Sequence, residues 1–241
     1  MNDNYSEYFM NRKPSPFSEK SIRFWHKRML MIAAKWIPAL HTKSILEIGV
    51  GHGFFAEVCQ QKQITYQGLE MNAEQADLLK ASGHDIIAVM VPPIPAGEAV
   101  QVIWLSHILE HAPSYVIAKE MLLACHERLD PEGYVVIIAP DCLHWKERFW
   151  SCDWSHGFPT SLTRVEQLLH ETNFSVHRSM YHTLSLTNPV AAWSISTFFR
   201  WCLPVEILDY FFQRYTGHRF CQAFMGVFGL RQIYLIGKKR A

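Results

Sequence analysis

The sequence predicts an α/β fold, with a seven-stranded, mostly parallel sheet, helices on both faces and a helical insertion before the last strand. Three observations predict it. Short apolar runs alternate with amphipathic helical stretches from residue 44 to residue 139, as in a parallel sheet covered by helices. An apolar run ends in a glycine-rich turn at 49–53, and a helix begins at once. A short strand at 232–237 follows the aromatic-rich residues 184–230.

The strands are predicted from short apolar runs bounded by turn residues, and the helices from apolar positions that recur every three or four residues. The run at 134–139 is unbroken, which suits a strand buried on both faces. The predicted elements are, in order, a helix at 21–36, a strand at 44–48, a helix at 54–61, a strand at 65–70, a helix at 73–82, strands at 86–91 and 102–105, a helix at 114–129, a strand at 134–139, a helix at 163–171, and strands at 175–182 and 232–237.

Composition excludes several classes of protein. The 241 residues include 23 Lys and Arg and 22 Asp and Glu, a formal net charge of +1, and 49% are hydrophobic. This balance excludes a disordered chain and a strongly basic nucleic-acid binder, so no nucleic-acid partner is expected. Six widely spaced cysteines without a C-x-x-C pair indicate reduced thiols, and the polar start of the chain has no signal-peptide run. We therefore expect a cytoplasmic protein.

The length predicts one large domain with an insertion. We expect an N-terminal helical or lid segment at 1–43 and a ligand-binding core at 44–183. An aromatic-rich helical insertion at 184–230 then precedes the last strand and a basic tail at 231–241.

The sharpest signal is the turn after the first strand. Glu47 precedes three glycines at alternate positions, Gly49, Gly51 and Gly53, and a helix begins at Phe54. Glycine permits positive φ and a close approach of the backbone to a ligand, while a helix N-terminus offers unpaired N–H groups. The turn therefore predicts a nucleotide-type pocket at the carboxyl end of the strand. Phe54 stands where a dinucleotide fingerprint needs glycine or alanine, which argues against a nicotinamide oxidoreductase.

This turn resembles the first motif of the class I S-adenosylmethionine-dependent methyltransferases, E/D-x-G-x-G-x-G. The resemblance implies a Rossmann-like methyltransferase core, S-adenosylmethionine as the cofactor and no metal. In that family the glycines pass under the amino-acid end of the cofactor, and the acid at the Glu47 position helps to hold its ammonium group. Glu70, at the end of the second strand, is suited to accept hydrogen bonds from two ribose hydroxyls. The predicted cofactor-binding residues are Glu47, Gly49, Gly51, Gly53, Glu70, Met71, Met90, Ser106 and His107.

Two further segments extend the resemblance to about residues 44–182. Residues 102–111 resemble the family's fourth strand with its Leu-Glu-His ending, and residues 129–141 resemble the turn and strand that follow. No Asn-Pro-Pro-Tyr-like or Pro-Cys motif follows the fourth strand. The chain therefore resembles the small-molecule and quinone-type branch more than the nucleic-acid branches.

The sequence departs from the family pattern at two places. Gln101 stands where an acid commonly begins the fourth strand, and residues 89–93 lack the acid commonly found near the adenine. The resemblance then implies that backbone groups and apolar contacts, with Met71 and Met90, hold the adenine.

A metal motif overlaps the fourth strand's end. His107, Glu110 and His111 have the H-x-x-E-H spacing of inverted zinc proteases, which places two imidazoles on one helical face. Taken alone, this spacing predicts zinc hydrolysis. The segment directly follows a strand at the edge of the predicted cofactor pocket, however, and the methyltransferase resemblance accounts for it. We therefore expect no metal.

Methyl transfer from a sulfonium is an in-line displacement, so the protein has to align the acceptor and, for a hydroxyl, remove a proton. The predicted catalytic residues are His156, His107 and Asp141, which follow the fourth and fifth strands. His156 or His107 is hypothesised to contact the acceptor, with a structural histidine as the alternative for His156. The predicted function is O-methylation of a small or lipid-like metabolite. The alternative is a catalytically silent S-adenosylmethionine-binding partner or scaffold in a biosynthetic complex.

Aromatic residues make up 13% of the chain and are concentrated at 145–158 and 193–228, which indicates a large apolar acceptor or partner. We expect the loop at 141–154 to form a substrate wall. The insertion at 184–230 has three interpretations: a cap over a bulky acceptor, a homodimer face, or a helix at a membrane surface. Its scarcity of Lys and Arg disfavours peripheral membrane contact.

Overall fold

A seven-stranded sheet forms the centre of the protein. The computed structural model describes residues 16–183 and 230–240, together with helical residues 190, 194, 197, 198, 211 and 214 between them. The sheet order is β3-β2-β1-β4-β5-β7-β6, in which β1 to β5 are parallel and β7 is antiparallel to both β5 and β6. The strands are β1 (Ile45–Ile48), β2 (Tyr66–Glu70), β3 (Ile86–Ala88), β4 (Val100–Ser106), β5 (Leu129–Pro140), β6 (Phe174–His182) and β7 (Gln232–Lys239).

Seven helices accompany these strands in the described part of the chain. Three begin at a capping side chain: Asn72, Ser114 and Ser161 each accept a hydrogen bond from the backbone N–H three residues later. These caps explain why the three helix starts lie within one residue of the sequence prediction. The helices are α1 (Pro16–Trp36), α2 (Phe54–Gln61), α3 (Ala73–Ala81), α4 (Tyr115–Arg128), α5 (Cys142–Trp145), α6 (Glu147–Ser151) and α7 (Leu162–Glu171).

The strands β4 and β5 divide the core into two layers because successive side chains of a strand point to opposite faces. Trp104 of β4 is fully buried in a cluster with Met29 of α1. Its neighbour Ile103 packs on the opposite face with Leu122 of α4 and Leu169 of α7. Helices therefore cover both faces of a mostly parallel sheet, and the predicted fold class is confirmed.

The structure corrects several element boundaries. The strand predicted at 134–139 begins five residues earlier, at Leu129, and the strand predicted at 102–105 begins at Val100. The apolar run at 86–91 suggested a six-residue strand, but β3 ends at Ala88, shortly before Pro92 and Pro93, which have no N–H to donate to a sheet. The helix predicted at 21–36 begins earlier, at Pro16. The loop predicted at 141–154 contains the short helices α5 and α6.

Two predicted segments lie largely outside the described residues. These are the first fifteen residues of the lid segment and nearly all of the insertion at 184–230. The proposed division into segments, and the three interpretations of the insertion, stay predictions. Among the described residues, no helix is long and apolar enough to cross a membrane.

Candidate functional site

The glycine turn between β1 and α2 is built from left-handed backbone. Gly49, Gly51 and Gly53 have φ of +76°, +57° and +81°. A Cβ at Gly49 would lie 2.0 Å from Ile108 Cδ1, and one at Gly53 would lie 2.4 Å from Leu79 Cδ2. A Cβ at Gly51 would meet nothing within 4 Å. Packing therefore accounts for two of the glycines, whereas the space over Gly51 is open to a ligand.

Glu70 joins the end of β2 to this turn. Its Oε2 accepts a hydrogen bond from Gly51 N–H at 2.9 Å, and its Oε1 accepts one from Asn72 N–H at 3.0 Å. The side chain is buried, with 7% of the residue exposed. The carboxylate is thus fixed by two backbone donors, and each oxygen keeps a lone pair for a further hydrogen bond.

Glu47 lies beneath the turn in β1 and is also buried. The hydroxyl of Tyr66 donates a hydrogen bond to its Oε2 at 2.5 Å. Burial raises the pKa of Glu47 to about 8, because the ionised form loses its hydration, although the Tyr66 hydrogen bond acts in the opposite direction. A cation placed near this carboxyl would favour its ionised form.

A cavity of about 830 Å³ opens above the turn and extends from β2 to α1. Its volume lies in the upper part of the usual range for ligand sites. His156 and Asp141 are not among its described lining residues, and neither is Gly53. The remaining predicted site residues line it: Glu47, Gly49, Gly51, Glu70, Met71, Met90, Ser106 and His107.

Of the three predicted catalytic residues, only His107 reaches the cavity. It has φ of +57°, which is unusual for a residue other than glycine, and its Nδ1 lies 3.1 Å from Glu110 Oε1. His156 lies behind His111, with ring centroids 4.9 Å apart, and its Nδ1 donates to the carbonyl of Phe149 at 2.5 Å. His156 therefore supports the cavity wall from behind.

Asp141 is fully buried away from the cavity. Arg231 donates to its Oδ2 from Nε at 2.8 Å and from a terminal nitrogen at 2.7 Å. This ion pair joins the end of β5 to the start of β7. The arrangement pairs Asp141 with Arg231 within the sheet, and its predicted catalytic role stays a prediction.

Glu110, His111 and His156 bring metal-ligand side chains together. One ligand atom from each lies within 4.8 Å of the others, while a tetrahedral zinc holds its ligand atoms about 3.4 Å apart. His107 is outside this group, so the H-x-x-E-H pair of histidines does not assemble as the spacing alone would suggest. The expectation that no metal is needed stays a prediction.

Helix α1 also contributes to the cavity, although no residue of α1 was predicted to line it. Ile22, Trp25 and His26 line it, and they share one helical face because they are three and four residues apart. Gln232, at the start of β7, also lines it. The i, i+3, i+4 spacing of Ile22, Trp25 and His26 was the available signal, but it is equally typical of a core-facing helix.

A profile for a methyltransferase domain matches residues 8–179 of the sequence. The chain belongs to the methyltransferase-domain family. This assignment confirms the resemblance to the class I enzymes and the enzyme class, an S-adenosylmethionine-dependent methyltransferase. No curated protein matches the sequence significantly.

Solved structures show the same fold at low sequence identity. A SAM-dependent methyltransferase from Archaeoglobus fulgidus has a TM-score of 0.60 and 17% identity, covering 92% of this chain and 98% of its own. A complex between the Haloferax volcanii Trm112 methyltransferase activator and a putative methyltransferase has a TM-score of 0.65 and 13% identity, and the match covers 100% of both chains. Burkholderia thailandensis 1,6-didemethyltoxoflavin-N1-methyltransferase, solved with S-adenosylhomocysteine, has a TM-score of 0.60 and 12% identity. The match covers 99% of this chain and 86% of that protein.

Three buried groups predict how the stability of this methyltransferase-domain protein depends on pH. Burial lowers the pKa of His26 to about 3 and of His182 to about 4, so both contribute stability above pH 6.5 that is lost as the pH falls towards those values. Glu47, with its pKa raised to about 8, contributes stability below pH 4.5 that is lost as the pH rises towards 8. Together these groups favour a maximum of stability near pH 6.5, with slopes of roughly 1 kcal/mol per pH unit for each proton.

Urea unfolding at pH 5, 6.5 and 8 measures this dependence. The variant Glu47→Gln removes the group that loses stability between pH 4.5 and 8, so it is expected to flatten the decline between pH 6.5 and 8 and to steepen the rise between pH 5 and 6.5. An alkaline decline of undiminished slope in Glu47→Gln would contradict the assignment to Glu47.

Proposed function

We propose that the chain binds S-adenosylmethionine in this cavity and transfers its methyl group to an oxygen of a small or lipid-like metabolite. The observation that carries the proposal is the Glu70 carboxylate, which lines the cavity while it accepts the Gly51 N–H of the glycine turn. A carboxylate at the end of the second strand beside a glycine turn is how α/β folds hold a ribose.

The residues around the turn fit the chemical groups of the cofactor. Glu47 is a buried carboxyl that a nearby ammonium group would stabilise in its ionised form. Met71 and Met90 line the cavity with 45% and 56% of their surface exposed, an apolar surface suited to adenine. The cofactor supplies an electrophilic methyl group on a sulfonium. The chain's own residues have to hold the acceptor in line and, for a hydroxyl, take its proton.

His107 is our candidate for that proton transfer. It lies at the carboxyl end of β4, next to the glycine turn, and its ring also faces Trp25 of α1 at 5.9 Å between centroids. The Glu110 carboxylate accepts a hydrogen bond from Nδ1 and holds the ring, which leaves Nε2 as the nitrogen that can take the proton of the acceptor. His156 acts on the site through His111 and not by contact with the acceptor.

Replacing His107 with asparagine is expected to lower kcat by about 100-fold or more, because general base catalysis contributes about 10² to 10⁴ to the rate. Asparagine tolerates the left-handed backbone at this position, so the loop is expected to keep its shape. Turnover is measured with labelled S-adenosylmethionine and a fractionated metabolite and lipid extract, followed by mass spectrometry of the methylated product.

The exposed His41, far from the cavity, provides the control His41→Asn. It is expected to match the wild type. Because His107 is also a predicted cofactor-binding residue, calorimetric titration of His107→Asn with S-adenosylhomocysteine separates a loss of cofactor affinity from a loss of the base. If a variant with alanine at both His107 and His156 keeps wild-type turnover, neither residue takes part in the mechanism.

A partner role is the second candidate function. The Haloferax volcanii complex contains a methyltransferase activator, and its fold match spans this whole chain. A catalytically silent domain that binds S-adenosylmethionine and acts as a partner in a biosynthetic complex would show cofactor binding with no methylated product from any extract. We further propose a cytoplasmic location, no nucleic-acid partner and no metal, with the insertion at 184–230 as an acceptor cap and a homodimer face as its alternative.

A further inference from the structure

Helix α1 concentrates positive charge that the chain as a whole does not have. Residues 20–36 include five basic side chains and no acidic one, whereas the net charge of all 241 residues is only +1. Glu19, just before this stretch, and Glu57 of α2 both pair with Arg23, so only one of the five is bound by these two carboxylates. The other four basic residues are Lys20, Lys27, Arg28 and Lys35.

The exposed side of α1 combines three of these lysines with two apolar side chains. Phe24 is 59% exposed and Met31 is 63% exposed, which is high for side chains of this kind. An α-helix turns by 100° per residue, so all five side chains fall within a stripe about 80° wide. We call these five exposed residues the basic stripe: Lys20, Phe24, Lys27, Met31 and Lys35.

The other sides of α1 already hold the helix to the protein. Trp25, Met29 and Ala33 are buried in the core cluster that covers one face of the sheet. Ile22 and His26, between this buried side and the basic stripe, line the cavity. The exposed Phe24 and Met31 are therefore additional to the apolar residues that dock the helix.

An anionic bilayer surface matches both components of the basic stripe. Lipid phosphates attract the lysines, and the acyl region just below them takes up apolar side chains. A polyanion without an apolar layer accounts for the lysines alone. The stripe runs along one straight helix for about 22 Å between Lys20 and Lys35, a shape that suits a flat surface.

We propose that the basic stripe of α1 binds the protein peripherally to anionic membranes. Phe24 and Met31 enter the interface, and the lysines lie at the level of the lipid phosphates. The scarcity of Lys and Arg that disfavours membrane contact by the insertion at 184–230 does not apply to α1. This inference is independent of the proposed methyl transfer. Its consequence is that the α1 wall of the cavity lies about one helix diameter, roughly 10 Å, from the bilayer.

Co-sedimentation of the full chain with vesicles tests the proposal, without cofactor or acceptor. The wild type is expected to bind vesicles of phosphatidylcholine with about 30% phosphatidylglycerol at least about 10-fold more tightly than vesicles of phosphatidylcholine alone. Added salt is expected to weaken the binding to the anionic vesicles, because it screens the lysines.

Two double variants separate the charged and apolar parts of the stripe. Lys27→Gln with Lys35→Gln is expected to weaken binding to the anionic vesicles about 25-fold, since each lysine near such a surface contributes about 5-fold. Phe24→Gln with Met31→Gln is expected to weaken it by about 10-fold or more, because the apolar insertion is lost. Glutamine is a good helix former, so the melting temperature of both variants is expected to stay close to that of the wild type.

Lys80→Gln with Lys119→Gln is the matched control. It changes the net charge by the same amount on α3 and α4, away from the stripe, and is expected to leave binding within about 2-fold of the wild type. Equal losses in the two lysine variants would overturn the inference, because net charge and not the stripe would then determine binding.

Two further results would also overturn it. One is equal binding to the neutral and the anionic vesicles. The other is unchanged vesicle binding in the Phe24→Gln, Met31→Gln variant together with equally tight binding of soluble polyglutamate, which would indicate an acidic protein partner. Binding of S-adenosylhomocysteine is measured separately, and its failure would overturn the proposed function while leaving this inference in place.

Discussion

Replacing Glu70 with alanine is expected to weaken the binding of S-adenosylhomocysteine by at least about 100-fold, since the two hydrogen bonds proposed from the ribose hydroxyls to this carboxylate contribute about 1.5–3 kcal/mol each. Two such bonds to ribose hydroxyls are lost directly. The substitution also frees the N–H groups of Gly51 and Asn72, which the carboxylate now fixes at 2.9 and 3.0 Å. The glycine turn then loses the contact that holds it in the shape a ligand needs.

Calorimetric titration with S-adenosylhomocysteine measures this effect. Glu70→Gln keeps the length of the side chain and one oxygen acceptor, so its loss of affinity is expected to be intermediate. Glu74→Ala, an exposed glutamate in the first turn of α3, is the matched control and is expected to bind as the wild type does. Wild-type affinity in a folded Glu70→Ala protein would show that the ribose does not lie at this carboxylate.

The predicted site residues that the structure brings together lie at the ends of neighbouring strands. Gly49, Gly51 and Gly53 follow β1 directly, and Glu70 follows the neighbouring strand, so a parallel pairing of β1 with β2 is enough to bring them together. The three glycines have positive φ values, which glycine adopts more readily than any other residue. No long-range packing has to be known to locate this half of the cavity.

The part of the cavity that α1 and β7 line depends on contacts between distant parts of the chain. Trp25 and Gln232 line the same cavity from opposite ends of the sequence, and the helical spacing around Trp25 is equally typical of a helix that faces the core. His156 follows a loop that suggested contact with the acceptor, but its hydrogen bond to Phe149 turns it to the far side of His111. A position near the end of a strand therefore identifies candidate site residues, and the contacts made in the folded chain decide which of them reach the cavity.

The catalytic role predicted for Asp141 stays a prediction, and the ion pair with Arg231 predicts that its replacement has a large effect on folding. Asp141→Ala is expected to lower the free energy of unfolding by about 3–5 kcal/mol, because removing one partner of a buried ion pair leaves the other charge uncompensated. Arg231 has only 13% of its side chain exposed, and its guanidinium also stacks on Tyr181 at 4.2 Å. It therefore cannot simply turn into solvent.

The ion pair itself contributes less than this loss suggests. Burial raises the pKa of Asp141 even though Arg231 acts to lower it, so desolvation exceeds the attraction between the two groups. The double variant Asp141→Leu, Arg231→Met, which removes both charges, is therefore expected to recover most of the stability lost in Asp141→Ala. Urea unfolding of the three proteins measures both effects. An Asp141→Ala protein with wild-type stability and no turnover would restore the catalytic role that the sequence suggested, because only a group in contact with the reacting atoms would then explain the loss.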